Sequence, residues 1–204
     1  MTSTSTVVLA SNNPGKLKEF SAILRQVGIS MTAQGDLGIP EAPEPYSTFV
    51  ENALAKARHA SAQAGMPALA DDSGLCVRCL GGAPGVYSAR YAQMAGGEKS
   101  DAANNRLLVD TLAGRRDRYA EYVAVLVYVR GADDPLPIIA QGIWPGEIVD
   151  DPRGGNGFGY DPHFYLPQQG KTAAELDPAE KNRISHRARA LEKLLDALRS
   201  RDEA

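Results

Sequence analysis

Four stretches of this chain carry residue types suited to holding a phosphate, a metal ion or an aromatic ring. The first is Ser11-Asn12-Asn13-Pro14-Gly15-Lys16. A polar loop between an apolar strand and a helix offers backbone N–H groups and the positive helix end to an anion. Asn12 and Asn13 add side-chain donors, and Lys16 adds a full charge. The spacing is not the GxxxxGK[ST] of a P-loop, and Asn-Pro-Gly is also an everyday turn. The second stretch is Asp71-Asp72-Ser73-Gly74. Two adjacent carboxylates at the end of a buried strand repel one another unless a cation compensates. A few hard oxygen donors suit Mg2+, which keeps waters and takes further ligands from substrate phosphates. An Asp/Ser/Gly turn is the plainer alternative. Since strand residues alternate faces, one Asp should point at a site and the other into supporting structure.

The third stretch is Gly157-Phe158-Gly159-Tyr160-Asp161-Pro162. Glycines on either side of an aromatic let a flat ring approach, and stacking of a base on an aromatic is worth about 1–3 kcal/mol. Asp161 can accept a hydrogen bond from a ring N–H. The same residues also suit a glycine-rich loop with a packed aromatic. The fourth group is Lys181 with Ser185-His186-Arg187. At about 100° per residue, positions 181, 186 and 187 of an unbroken helix lie on different faces. Either they form a solvated basic face, or the helix breaks near Ile184 or Ser185 and Ser185 caps the second half.

The elements that must position these groups follow from periodicity. An apolar strand at 7–10 leads into the first loop. Leu17, Phe20, Ile23, Leu24 and Val27 then recur at helical spacing and stop before Gly28. A strand is expected at 29–33, and the proline-bearing stretch 38–47 reads as an irregular loop. Thr48 and Glu51 form a capping box for an Ala-rich helix that ends at Gly65. A strand at 68–70 leads into the acid pair, another is read over 74–80, and the glycines at 81–85 form a turn. A helix is expected over 100–112, then long strands at 119–130 and 136–147, read as an antiparallel pair. Asp177 and Pro178 open the C-terminal helical region, whose buried stripe is Leu191, Leu194, Leu195 and Leu198. This order predicts an α/β fold with a mixed sheet flanked by helices.

Composition narrows the function classes. The chain has 204 residues, 43% hydrophobic and 23% charged, which is ordinary for a globular protein. Twenty-two Lys and Arg against 25 Asp and Glu give a net charge of −3, the wrong sign for a nucleic-acid binder. The longest apolar run, 123–129, is far short of the ~20 residues that span a bilayer. The opening residues hold no basic residue and no hydrophobic block, so no secretory leader is expected. The two cysteines, Cys76 and Cys79, are read as strand residues on opposite faces. Thioredoxin chemistry needs such a pair at a helix N-terminus, and zinc needs four ligands, whereas His59, His163 and His186 are scattered. Small packing residues in a reducing cytoplasm are the reading that remains.

In this order, SNNPGK, TFVENALAKAR, ADDSG, LGGAPGVYSARYA, GFGYDP, KTAAEL and EKNRISHRARAL resemble the inosine triphosphate pyrophosphatase family over nearly the whole chain. The resemblance implies one domain over residues 1–204, an elongated α/β structure whose active site lies in a cleft between two lobes. It implies Mg2+-dependent hydrolysis of ITP, dITP and XTP to the monophosphate and pyrophosphate in a homodimer. With no Ser or Cys paired to a His evident as nucleophile, direct water attack is favoured. Charge and composition point to the cytoplasm and to no nucleic-acid or membrane partner. Asp72 then matches the proton acceptor and metal ligand, with Glu44 a further metal ligand. Ser11, Asn12, Asn13, Pro14, Gly15 and Lys16 match the triphosphate clamp, supported by Lys56 and Asp71. Ser73, Phe158, Gly159, Tyr160, Asp161, Lys181, His186 and Arg187 match positions that contact the nucleotide. A pyrophosphatase of similar architecture acting on pyrimidine or modified nucleotides is the alternative.

Overall fold

The computed structural model describes residues 5–202; most of the Ser/Thr run that opens the chain lies outside them. Strand β1 (Ser5–Leu9) feeds helix α1 (Pro14–Leu24), which tightens into a 3-10 turn and ends at Gly28 with φ 73°. Strand β2 (Ile29–Ala33), helix α2 (Phe49–Ala64) and strand β3 (Ala68–Val77) follow. Then come the short α3 (Tyr91–Met94), α4 (Asp101–Leu112), β4 (Tyr119–Val129) and β5 (Ile138–Ile148). Two short strands, β6 (Phe164–Leu166) and β7 (Lys171–Thr172), precede α5 (Pro178–Ile184) and α6 (His186–Asp202).

Helix starts follow the capping chemistry of the sequence. Thr48 accepts the Glu51 N–H, and its hydroxyl donates to the Glu51 carboxylate at 2.5 Å. Gly65, at φ 64°, ends α2 because a left-handed residue carries no penalty without a Cβ. Ser100 caps α4 and Asp177 caps α5, with Pro178 in its first turn. The buried alanines Ala53, Ala57 and Ala60 let α2 pack closely on β1.

The sheet runs β2-β1-β3-β4-β5-β6-β7. β1 pairs parallel with β2 and β3, whereas β6 pairs antiparallel with β5 and β7, so the sheet is mixed as expected. β4 is apolar and nearly wholly buried, while β5 alternates buried and exposed along its length, the pattern of a strand with one open face.

Two expectations are corrected. β3 does not end before the acid pair but runs through it to Val77. Residues 78–80 then form a 3-10 turn, so only Cys76 lies on the strand and Cys79 sits on the turn. Burial pushes the Cys76 thiol up, away from thiolate reactivity.

The chain divides into two compact units. One comprises the residues up to Asp72, Ala124–Gly142 and those from Ala190; its core includes Leu9, Phe20, Leu69, Leu126, Leu191 and Leu194. The expected stripe of α6 is buried there. The other comprises Ser73–Val123 and Ile143–Arg189, around Leu75, Leu108, Tyr122, Trp144 and Phe164. The turn between β4 and β5 is held by buried Asp134. It accepts the N–H groups of Arg130 and Leu136, both at 3.0 Å, and pairs with the Arg130 guanidinium at 2.7 Å. The hydrogen bonds from Arg130 hold its carboxyl well below the usual carboxylate range. A lowered carboxyl stabilises the fold above its ordinary pKa, and that stabilisation fades as pH falls toward the lowered value. Asp134→Ala is therefore expected to lose about 2 kcal/mol at pH 7 in urea unfolding, with the gap to wild type narrowing below about pH 4.

Candidate active site

Asp71 and Asp72 follow one another in buried β3, so pleating sends their side chains to opposite faces. A buried carboxylate without a partner is strongly destabilising, and each has its own lysine. Lys16, in the first turn of α1, reaches Asp71 at 2.5 Å. Lys56, from α2, bridges Asp72 at 3.0 Å and Glu44 at 2.7 Å. Glu44 belongs to the irregular stretch before α2, and Lys56 draws it onto the acid pair.

Three carboxylates thus gather around two ammonium groups. Burial pushes the Asp72 carboxyl above its usual range, Lys56 draws it back, and Glu44 and Asp71 add to the rise. Burial alone would lower the Lys56 ammonium, but the charges of Asp72 and Glu44 more than reverse that. Both shifts run upward, which favours the charged form of the lysine and disfavours that of the carboxylate: Lys56, drawn by two acids, stays charged, while burial of Asp72 outweighs what Lys56 returns to it.

That arrangement fits a divalent cation. Asp72 Oδ2 is buried with no hydrogen-bond partner among the described residues, the donors are hard oxygens, and the local charge is negative. No group of three or more His, Cys, Asp and Glu able to hold a metal is formed among the described residues. An ion here would take most of its ligands from water and phosphate, which is the habit of Mg2+.

The first loop is more self-contained than its sequence suggests. Ser11 Oγ accepts the Asn13 N–H at 3.1 Å. Asn13 caps α1 by accepting the Gly15 and Lys16 N–H groups at 2.9 and 3.2 Å. Asn12 donates to Glu41, and Pro14 occupies the first turn of α1. Of the clamp residues, Lys16 is the one joined to the acid pair.

The second unit gathers the remaining positions. Phe158 is 60% exposed, with the Lys181 ammonium 5.3 Å and the Arg187 guanidinium 5.5 Å from its ring centre, both within cation–π range. Arg187 also donates to Ser73 at 3.0 Å. These residues meet because the last helical region breaks where the sequence required. Ser185 is extended (φ −68°, ψ 167°) and its hydroxyl accepts the Ala188 N–H at the start of α6. His186 is buried and stacked on Tyr122, with centroids 4.8 Å apart and planes at 11°.

Two positions are turned inward. Tyr160 is buried, and its hydroxyl donates to the Ser88 carbonyl at 2.8 Å. The Asp161 side chain is 3% exposed; it forms an ion pair with Lys181 and accepts the Phe158 N–H at 2.8 Å. Asp161 thus anchors the loop behind the ring. Tyr122 and Trp144, beside His186, carried no signal in the sequence beyond that of core aromatics.

The structure defines an α/β protein with a lysine-paired acid pair on β3 and, in the second unit, an aromatic ring flanked by two cations. Comparison with known proteins narrows it. The Ham1 family model matches residues 7–197. A dITP/XTP pyrophosphatase of Ralstonia nicotianae is 70% identical over 193 residues, covering 95% of this chain and 96% of that one. Among solved structures, a HAM1 protein from Coxiella burnetii superposes with a TM-score of 0.91 at 48% identity, covering 96% of this chain and 99% of the other. The Staphylococcus aureus Ham1 protein gives 0.86 at 41% identity over 96% and 99%. The chain belongs to the Ham1 family.

The loop before Asp161 depends on Gly157. Its φ is +79°, and an added Cβ would lie 2.0 Å from Asp161 Oδ2 and 3.0 Å from Lys181 Nζ. Gly157→Ala is expected to displace the Asp161–Lys181 pair and lower stability by about 1–3 kcal/mol, read as a fall in Tm.

Proposed function

We propose that this chain hydrolyses the non-standard purine nucleoside triphosphates ITP, dITP and XTP to the monophosphate and pyrophosphate. The observation that carries the reading is the buried acid pair of β3, with Asp72 Oδ2 lacking a hydrogen-bond partner among the described residues, immediately followed in the chain by Ser73. That serine is the partner of Arg187 at the aromatic platform. Phosphate chemistry and ring recognition are thus assigned to consecutive residues of one strand. Relatives named dITP/XTP pyrophosphatase, such as that of Ralstonia nicotianae, support the substrate class.

In this reading Asp72 and Glu44 would hold Mg2+. The ion's chemistry is to offset charge on the polyphosphate and on the departing pyrophosphate. Asp72 orients a water against the α-phosphorus and takes its proton as the new P–O bond forms and the bond to the β-phosphate oxygen breaks. Lys16 and Lys56 move part of their charge from Asp71, Asp72 and Glu44 to the phosphates. No Ser or Cys with a paired His is assigned as nucleophile, and direct water attack is the simplest route.

Phe158 supplies a face for the purine, and the two cations beside it favour an electron-rich ring. Hypoxanthine presents an N1–H donor and an O6 acceptor, with His186 or Arg187 suited to donate to O6. Adenine reverses that pattern and leaves buried polar groups unpaired, at a cost of about 1–3 kcal/mol each. The family resemblance extends the proposal to a cytoplasmic homodimer.

The test is a product assay over ITP, XTP, dITP, ATP, GTP, dUTP and dTTP, with and without Mg2+. Pyrophosphate from the first three, and little from the others, is expected; inorganic phosphate as product, or preference for dUTP, would sink the proposal. Asp72→Asn is expected to lower kcat on ITP by at least about 10^3-fold while ITP binding stays measurable by titration calorimetry. Wild-type kcat in that variant would remove Asp72 from its assigned role.

A further inference from the structure

The aromatic loop stands where the core cannot hold it. Residues 151–158 are all exposed, and Gly157 and Gly159 both take positive φ. A chain of this kind samples many conformations unless it is tied, and ordering it on binding weakens affinity. Asp161 holds it at the Phe158 N–H and the Ala174 and Leu176 carbonyls hold it at Asn156, and a further tie comes from helix α4. Asp101 Oδ2 accepts the Gly159 N–H at 2.7 Å, and Asn105 Nδ2 donates to the Gly159 carbonyl at 2.8 Å. Asp101 and Asn105 are four apart, so they share one helix face. Between them they satisfy both backbone polar groups of the residue that follows Phe158.

Two further features show that this clamp is built rather than incidental. Asn105 Oδ1 is buried with no partner among the described residues. The amide therefore accepts an unsatisfied oxygen so that its nitrogen can face Gly159; turned over, it would set oxygen against oxygen. The helix carrying the clamp is itself fixed. Leu108 and Leu112 are fully buried, and buried Asn104 accepts the Ala92 N–H at 2.8 Å and donates to the Ala89 carbonyl.

We infer that Asp101 and Asn105 are positioning residues that hold the Phe158 ring ready for the base. Neither touches the ligand; both act through the Gly159 peptide. The inference rests on the reading of Phe158 as the base platform. It assigns the affinity for the base, but not that for the phosphates, to a helix outside every recognised motif of the chain.

Titration calorimetry of the full chain with inosine monophosphate, and separately with pyrophosphate and Mg2+, tests it. Asp101→Ala and Asn105→Ala are expected to raise Kd for the monophosphate by about 5-fold to 10-fold and to leave that for pyrophosphate within about 2-fold. KM for ITP should rise in step, with kcat nearly unchanged. Asp101→Asn keeps an acceptor for the Gly159 N–H and should restore wild-type affinity. Phe158→Ala is the control for the underlying reading. If it weakens monophosphate binding while both alanine variants of α4 bind as wild type, the positioning role is wrong and the platform stands. If Phe158→Ala itself binds as wild type, the platform reading fails. Equal weakening for both ligands in the α4 variants marks a merely structural role and overturns the inference. Should Asp101→Ala not fold, as its Tm would report, Asn105→Ala decides alone.

Discussion

Two carboxylates in succession on a buried strand set the terms for the first unit of this protein. β3 cannot carry Asp71 and Asp72 unless each finds a cation, since breaking a buried ion pair costs about 3–5 kcal/mol. Pleating sends the two side chains apart, so one cation cannot serve both. The solution is a lysine from each of two helices: Lys16 in the first turn of α1 and Lys56 within α2. The register of both helices against the strand is thereby specified by charge as well as by packing. The start of α1 follows from the same demand, because the Asn13 cap and Pro14 fix the turn in which Lys16 must sit. Lys56 in turn draws Glu44 inward, so an irregular loop is given a fixed place by an electrostatic debt incurred on the strand.

Much of the framework is legible in the sequence because local chemistry and tertiary demand agree there. Thr48 with Glu51, Gly65, Ser100 and Asp177 with Pro178 each mark a helix end, and each is found there. The break at Ser185 is readable for a different reason. Lys181, His186 and Arg187 cannot share a face of one helix, so any common purpose demanded the interruption that the extended Ser185 supplies. The acid pair misleads for the opposite reason. Asp-Asp-Ser-Gly has turn composition, yet it lies within β3, where partners 55 and 16 residues away in sequence, Lys16 and Lys56, compensate its two carboxylates. Strands β6 and β7 are too short to show a period.

The site residues divide along the same line. Residue type indicated the chemistry of Asp72, Lys56, Phe158 and Arg187. It gave no indication of which way a side chain faces within a glycine-rich loop. GFGYDP offers two aromatics and an acid, and the fold exposes Phe158, buries Tyr160 against the Ser88 carbonyl and turns Asp161 behind the ring. The positive φ values of Gly157 and Gly159 decide that partition, and they depend on tertiary ties to Lys181 and α4. Asp101 and Asn105 were illegible because a polar pair four apart on an amphipathic helix reads as a solvated face.

The under-compensated charge at Asp72 also bears on how binding events depend on one another. In the proposed function, a polyphosphate approaching Glu44, Asp71 and Asp72 would meet repulsion from the carboxylates that Lys16 and Lys56 offset in part. A divalent cation alone would find few protein ligands, since no larger set of donors is gathered among the described residues. Each partner therefore supplies what the other lacks: the ion cancels the excess charge, and the phosphate oxygens complete the ion's ligand shell. By linkage, such mutual dependence must be reciprocal, with each raising the affinity for the other by the same factor. Pairing every carboxylate with its own lysine would make the strand more comfortable and remove that coupling. In the proposed function, the one lysine shared between two acids is the feature that would favour a ligand arriving with its own cation.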